Sequence, residues 1–503
     1  MDIPKLLAVF SCLTFSVQAL AQSAPTMKMT TDIPPAIVTP AAVDTRLGKL
    51  KFEDGIPTEE TATLLYDNLD FMRGVEVFMS AMPGASAEAL RAGFVSKGAD
   101  NNTVLIFESL MDSKSLFLTP NTESIYNLMW LDTSDGPLVI ETPPNILGII
   151  DDHWFEYVGD LGNAGPDKGK GGKYLLLPPG YNGDIPKGYH VMQSRTYGNL
   201  FFWRGFIDAK GSTKTAVNNS KKYAKVYQLS QAKNPPKMKF INVSGKHFNT
   251  IHANDFDFYN EVNEIVQNEP SDSYHPEVLG ALASIGIEKG KPFAPDARMR
   301  KILTEAVAVG NATARAILFR TRMEEAYYYP DSAWFTGFVG GDHQFFSQPG
   351  VRNLDARTLF HYYATGITPA MAIQRVGIGS QYAIAATDTN GDILDGSKTY
   401  KVHLPPNIPA QNFWSFVAYD NQTRSMLQTD QQFPSIGSQN KSLVVNDDSS
   451  VDIWFGPKPV QGHENNWVQT VPGKGWNLVL RLYGPDEAWF DKTWRPGELE
   501  PVN

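Results

Sequence analysis

The chain reads as mainly β with a helical connector, an α+β multidomain protein in which two β-sandwich or jelly-roll-like domains flank an α-helical region. Three observations carry that expectation. From about residue 101 to 243, and again from about 376, short runs alternate apolar and polar residues between Gly, Pro, Asn and Asp punctuation. This is the period-two signature of strands with one face on a core. Between those regions the apolar spacing turns helical, over Asp255 to Asn268, His275 to Ile285 and about Pro295 to Tyr328. Finally, 503 residues are too many for one ordinary core, since domains usually hold roughly 100 to 200.

Taken in order, the first 21 residues read as a secretory signal. Lys5 precedes the apolar run LLAVFSCLTFSV, and Ala19-Leu20-Ala21 supplies a small-x-small cleavage site. The run is shorter than the roughly 20 apolar residues a bilayer span requires, so a periplasmic or secreted protein with no integral membrane span is expected. Cys12, the only cysteine, lies inside that segment. A processed chain would then lack disulfides, Cys-ligated metal sites and thiol catalysis. Residues 22–58, rich in Pro, Ala and Thr, read as an extended arm. A helical segment is expected over 59–98, with Leu64, Leu65, Leu69, Met72, Val75 and Phe78 at helical spacing, a stop at Pro83-Gly84 and a second helix over Ala85 to Val95.

The first β domain is expected over 99–245, with strands in VLIFESL, SIYNLMWLDT, GPLVIETP, WFEYVGD, KYLLLPPG, YHVMQS and LFFWRGFID. Seven short strands imply a sandwich or open barrel. A helical connector follows over 246–375. The second β domain, 376–503, contains SQYAIAATD, TYKVHLPP, FWSFVAYD, SLVVN, SVDIWFG and WNLVLRLYG.

A net charge of -10 with no basic stripe excludes a nucleic-acid partner, which would require cations to displace counterions. Aromatic residues make up 12% of the chain and gather in the β regions, where they suit either a sandwich core or a stacking platform for a ring-shaped ligand.

Two cassettes carry a family resemblance. PNTESIYNLMWLDTSDGPLVIETPP followed by GPDKGKGGKYLLLPPGY resembles the bacterial domain of unknown function 1254, and GDILDGSKTYKVHLPP through FWSFVAYD to NWVQTVPGKGWNLVLRLYGP resembles its usual partner, domain of unknown function 1214. The resemblance implies two sandwich-like domains with helices between and around them, export, and a homo-oligomer. It implies no catalytic residues. Matching motif positions include Pro120, Asn121, Tyr126, Trp130, Asp132, Trp414, Tyr419, Arg481 and Tyr483. The chain departs from the common pattern at Glu123, where Asp is usual, and at Gly148 to Asp152, where an Arg-Tyr-Tyr run is usual.

Chemistry is expected near Asp151 to Asp160, the densest mixture of carboxylates and imidazole. Glu123, Asp152, His153 and Asp160 are the candidate acid, base or metal-ligating groups of a hydrolase. Read as one strand, that segment puts His153 and Tyr157 on one face and Asp152, Trp154 and Glu156 on the other. Carboxylates in one β body could also approach to the roughly 5 to 10 Å of a glycosidase pair. Asn121, Tyr126, Trp130, Asp132, Lys168, Arg204, Trp414 and Arg481 are the candidate ligand contacts. The Gly-rich loop around Lys168 opens a strand rather than a helix and so lacks the phosphate-binding geometry of a P-loop. DTNGDILDG has Ile393 where a calcium loop requires Gly, and reads as a turn. The leading expectation is a small or oligomeric ligand held in an aromatic, acidic cleft of the first β domain. A hydrolase and a structural envelope protein are the alternatives, and no particular metal or cofactor is indicated.

Overall fold

The computed structural model describes residues 28–208 and 210–502. The leader expected over 1–21 lies outside the described residues. Between Tyr66 and Asp67 the chain divides into two compact units.

In the small unit, β1 (Ala42–Thr45), β2 (Gly48–Glu53) and β3 (Ile56–Pro57) form an antiparallel meander where an extended arm was expected. Asp54-Gly55 makes the second turn with both residues at positive φ, 46° and 84°, the backbone that two-residue hairpin turns select. These strands bury almost nothing, so they carry no apolar alternation to announce them.

The first helix, α1 (Glu59–Val95), runs unbroken through Pro83, where a stop was expected. Proline removes one N–H from the helix ladder and ordinarily kinks or ends it. Here burial of Val77, Phe78, Ala81, Met82, Ala85, Leu90 and Phe94 offsets the loss. Gly84 permits the packing: a Cβ there would stand 2.5 Å from the Trp154 ring.

The first β region supplies β4 (Thr103–Ile106), β5 (Ser115–Leu116), β6 (Ser124–Asp132), β7 (Leu138–Glu141), β8 (Ile146–Asp152) and β9 (Tyr157–Gly162). It continues with β10 (Lys173–Leu177), β11 (His190–Gln193), β12 (Gly198–Phe206), α2 (Lys214–Tyr223), β13 (Lys225–Gln228), β14 (Lys239–Asn242) and β15 (Phe248–Asn249). A six-stranded sheet, β14-β4-β6-β12-β8-β9, packs on a four-stranded one, β11-β10-β7-β13. Ile125, Met129, Leu131, Phe201 and Trp203 of the first meet Leu138, Ile140, Tyr174, Leu176 and Val226 of the second. β8 was missed because ILGIIDD is a continuous apolar run rather than an alternating one. Its discovery corrects the single-strand reading of Asp151 to Asp160: His153, Trp154 and Phe155 form the turn between β8 and β9.

The connector holds α3 (Asp257–Asn268), α4 (Pro276–Ser284) and α5 (Ala297–Phe319), then the hairpin β16 (Phe346–Gln348) and β17 (Val351–Arg352), α6 (Leu354–Tyr363) and α7 (Pro369–Ala372). Nine residues expected to extend α5 leave it at Arg320 (φ -141°), and Tyr327 bridges to Phe335. Among the described residues α5 is the one helix long and apolar enough to cross a bilayer. One face of it, with Leu303, Val307, Gly310 and Leu318, is buried in the protein.

The second β region contains β18 (Ser380–Ala385), β19 (Thr399–Leu404), β20 (Ala410–Asp420), β21 (Ser435–Gly437), β22 (Val451–Gly456), β23 (Trp467–Gln469), β24 (Trp476–Pro485), α8 (Glu487–Phe490) and β25 (Glu500–Val502). Its sheets are β18-β24-β20-β21 and β23-β22-β19-β25. SLVVN, expected as a strand, is an irregular loop with Val444 and Val445 exposed, so no core face holds it in a sheet. Ala383, Phe416, Leu478 and Leu480 pack on Tyr400, Val402, Ile453 and Phe455 between them.

Each region thus uses one face of its inner sheet for its own sandwich. The opposite faces serve a third, shared core: Leu128, Trp130 and Leu200 from the first, Ile384, Val417, Tyr419 and Val479 from the second, and the buried sides of α1, α3, α5 and α6.

Candidate functional site

A cavity of about 110 Å³ lies in that shared core. Strand alternation builds it. On β6 and β12, Tyr126 pairs with Arg204 and Leu128 with Phe202, all on the face away from the first sandwich. On β18 and β24, Tyr382 pairs with Arg481 and Ile384 with Val479. Phe360 and Tyr363 of α6, with Phe338 and Met371, complete an apolar wall.

The polar end of the cavity is cationic, where the sequence suggested an acidic cleft. Arg481 is 6% exposed, donates through Nη2 to the Thr119 carbonyl at 2.9 Å, and its Nη1 has no protein partner. Its guanidinium lies 5.4 Å from the Tyr382 ring centre and 5.5 Å from that of Tyr419. Burial alone would weaken its charge, but Tyr419, Tyr483 and Glu123 around it hold its pKa above the ordinary value. Among the described residues neither Arg204 nor Arg481 has a carboxylate within ion-pair distance. Burial drives Tyr126 upward as well, so it stays a neutral hydroxyl.

Asn121 positions this end. Its Oδ1 accepts from the Glu123 and Ser124 backbone amides and the Ser124 hydroxyl, and its backbone N–H donates to Tyr126 Oη at 3.1 Å. Glu123 stands just behind, accepting from the Tyr483 hydroxyl at 3.1 Å and the Thr122 hydroxyl at 2.8 Å.

Of the sequence-derived ligand contacts, Asn121, Tyr126, Arg204 and Arg481 line the cavity. The other four do not. Trp130 meets His153 edge-on at 4.6 Å; Asp132 is exposed and caps a turn through Ser134; Lys168 is exposed in the Gly-rich loop at φ 51°; Trp414 is buried within the second sandwich.

The four candidate catalytic groups do not converge. Ser124 pairs with Phe206 and Asp152 with Asn199 on opposite ends of β12. At about 3.3 Å rise per residue the Glu123 and Asp152 positions are roughly 25 Å apart, beyond any carboxylate pair. His153 is buried between two glutamates, Nδ1 2.7 Å from Glu269 and Nε2 3.1 Å from Glu88. Arg91 clamps Glu88 through two bonds of 2.6 and 2.7 Å. Burial lowers the His153 pKa, yet the bonds to Glu269 and Glu88 outweigh it and leave the net shift upward. An imidazolium locked on both nitrogens is a structural ion pair. Asp152 caps its turn by accepting from the Trp154 and Glu156 amides at 2.8 and 2.9 Å. Burial and nearby Glu156 raise it to about 7. Asp160, also raised by burial, accepts from the Tyr157 hydroxyl at 3.2 Å. No cluster of His, Asp or Glu suited to hold a metal ion occurs among the described residues.

Sequence reasoning missed Tyr382, Tyr363 and Phe338. Tyr382 was within reach, since SQYAIAA alternates. The other two depend on which side of a helix or loop faces the cavity.

Comparisons place this geometry among known proteins. Residues 101–228 match the protein of unknown function DUF1254, and residues 379–487 match the protein of unknown function DUF1214. The crystal structure of the VPA0106 protein from Vibrio parahaemolyticus is similar at a TM-score of 0.52 and 17% identity, covering 87% of this chain and 100% of that one. An uncharacterized protein from Burkholderia cenocepacia aligns with a TM-score of 0.37 and 11% identity over 88% of this chain and 96% of that one. No curated protein matches. The Vibrio likeness is one of fold. The region that matches DUF1254 is thus followed by the one that matches DUF1214, and residues of both line the central cavity.

Proposed function

We propose that the protein binds a small amphipathic anion in the shared cavity, with its apolar or aromatic body against Leu128, Phe202, Phe338 and Phe360 and its carboxylate between Arg204 and Arg481. One observation carries this reading: two guanidiniums, one of them 6% exposed with an unpartnered Nη1, share the polar end of an apolar cavity with no carboxylate in ion-pair contact. Buried charges are normally paired, and an arginine fork matches a carboxylate with two parallel donors. Aromatic walls suit the remainder of such a ligand.

Isothermal titration of the full-length protein with benzoate, phenylacetate and octanoate, against benzamide as the uncharged control, tests the proposal. At least one carboxylate should bind saturably and benzamide should not. Arg481→Gln should weaken that binding by about 10- to 100-fold, the cost of one charge-assisted bond. Equal binding of benzoate and benzamide, or no binding by any of the three acids, would overturn it.

A further inference from the structure

The α6 helix borders a second cavity, of about 120 Å³, lined by Arg357 and His361 one turn apart and by Arg352, Glu156, Tyr157 and Tyr274. Its charges do not balance. Arg357 is 8% exposed and makes no ion pair among the described residues; its Nη2 donates to the Ser80 carbonyl at 2.8 Å and to the Tyr274 hydroxyl. Arg352 has a buried Nε with no protein partner. Glu156 is the one carboxylate in the lining, and it is already engaged by Arg195 and by His275 at 3.1 Å, with Arg352 at 4.0 Å. Despite its burial, the hydrogen bond from His275 and the charges of Arg195 and Arg352 hold Glu156 at about 2, so it is an anion that already has its partners.

His361 is 4% exposed and its Nδ1 has no partner. Burial, with Arg357 and Arg352 nearby, keeps the ring neutral at ordinary pH. Phe155 stacks on it at 6.1 Å and Phe345 meets it edge-on at 5.8 Å. Both phenylalanines hold left-handed backbones, φ 55° and 59°, and both line the cavity. A bulky side chain in that region is strained, and such strain gathers where a site must be held in shape. An arginine with no ion pair, a second whose buried Nε has no partner, an unpaired imidazole nitrogen and two strained aromatic walls therefore meet in one small space.

We propose that this cavity is a second ligand site taking a compact oxyanion, a carboxylate or phosphate group, between Arg352 and Arg357 with His361 as its third contact. The two guanidiniums supply the charge, and the neutral imidazole supplies a directional N–H once its tautomer places the proton toward the oxyanion. The site is independent of the aromatic cavity, because its cations and walls are different residues.

The test uses the full-length protein at pH 7, titrated separately with inorganic phosphate and with acetate. Calorimetry reads affinity, and nitrogen-detected NMR reads the His361 ring. One of the two anions should saturate a single site and move the His361 resonances. Arg352→Gln should weaken it by about tenfold or more, while Arg481→Gln should leave it within about twofold. Phosphate saturating alone would identify a phosphate site, and acetate saturating alone a carboxylate site. Should Arg352→Gln fail to fold, Arg352→Lys carries the same comparison with a severalfold loss expected, since lysine keeps the charge but not the fork. The proposal is overturned if neither anion moves the His361 resonances, or if the folded Arg352 variant binds as tightly as the wild type.

Discussion

His153 illustrates how burial can reverse a residue's meaning. Beside carboxylates in the sequence it resembles a catalytic base, yet Glu88 and Glu269 occupy both its nitrogens at 3.1 and 2.7 Å. Removing it takes the shared cation from two buried carboxylates, of which only Glu88 keeps another in Arg91, so His153→Gln should cost about 3 to 5 kcal/mol. The pH dependence has a definite sign. Because the folded pKa is raised from 6.5, the stabilisation is fully present below about pH 6.5 and is lost as pH climbs through the folded value. Chemical denaturation of wild type and variant at pH 6 and pH 9 should show the gap narrowing at the higher pH. A gap that is equal or wider at pH 9 would refute the pairing. The arginines reverse in the other direction: Arg204 and Arg481 stand in the sequence as two ordinary cations, and only folding places both at one cavity with no carboxylate in ion-pair contact.

For α1, the decisive fact is its contact with the β8–β9 turn. Trp154 is fixed there by stacking on Tyr274 at 4.4 Å and by an Nε1 bond to Ser273 of 3.2 Å, so its ring has little room to yield. Gly84→Ala gains about 1 kcal/mol of helix propensity but forces a methyl to within 2.5 Å of that ring. Overpacking should win, with a net loss of about 1 to 2 kcal/mol. Gly280→Ala in α4, where nothing lies within 4 Å, is the control and should stabilise by about 0.5 to 1 kcal/mol. Thermal melts of both variants should therefore move in opposite directions. The same contact explains why Pro83-Gly84 misled as a stop signal: local chemistry argued for an end, and long-range burial overrode it. Strands were legible where burial alternates along the chain, as in TYKVHL. β8, buried along its length, gave no alternation, and the meander over 42–57 buried too little to give any.

At the scale of the whole molecule, the two sandwiches depend on a core that belongs to neither. Val417, Tyr419 and Val479 of the second inner sheet are at most 2% exposed, and their cover comes from outside residues 376–503. Expressed alone, that C-terminal region should expose this face, bind a hydrophobic dye and lose cooperative unfolding. Full-length protein should not bind the dye. A C-terminal fragment that melts as sharply as the intact chain, without dye binding, would show that the shared core is dispensable.

By itself the sequence determined the fold class, the order of β, helical and β regions, and the likeness to DUF1254 and DUF1214, because strand period, turn residues and motif order are local properties of the chain. It also named Asn121, Tyr126, Arg204 and Arg481, though without a reason to put them together. Tertiary structure alone decided that these four share one cavity with Tyr382 and Phe360, that Glu123 and Asp152 stand at opposite ends of β12, and that His153 is sealed between glutamates. The reason is physical: burial and counter-ion pairing arise from contacts between residues tens to hundreds of positions apart, and no local pattern encodes which side of a sheet or helix will meet them.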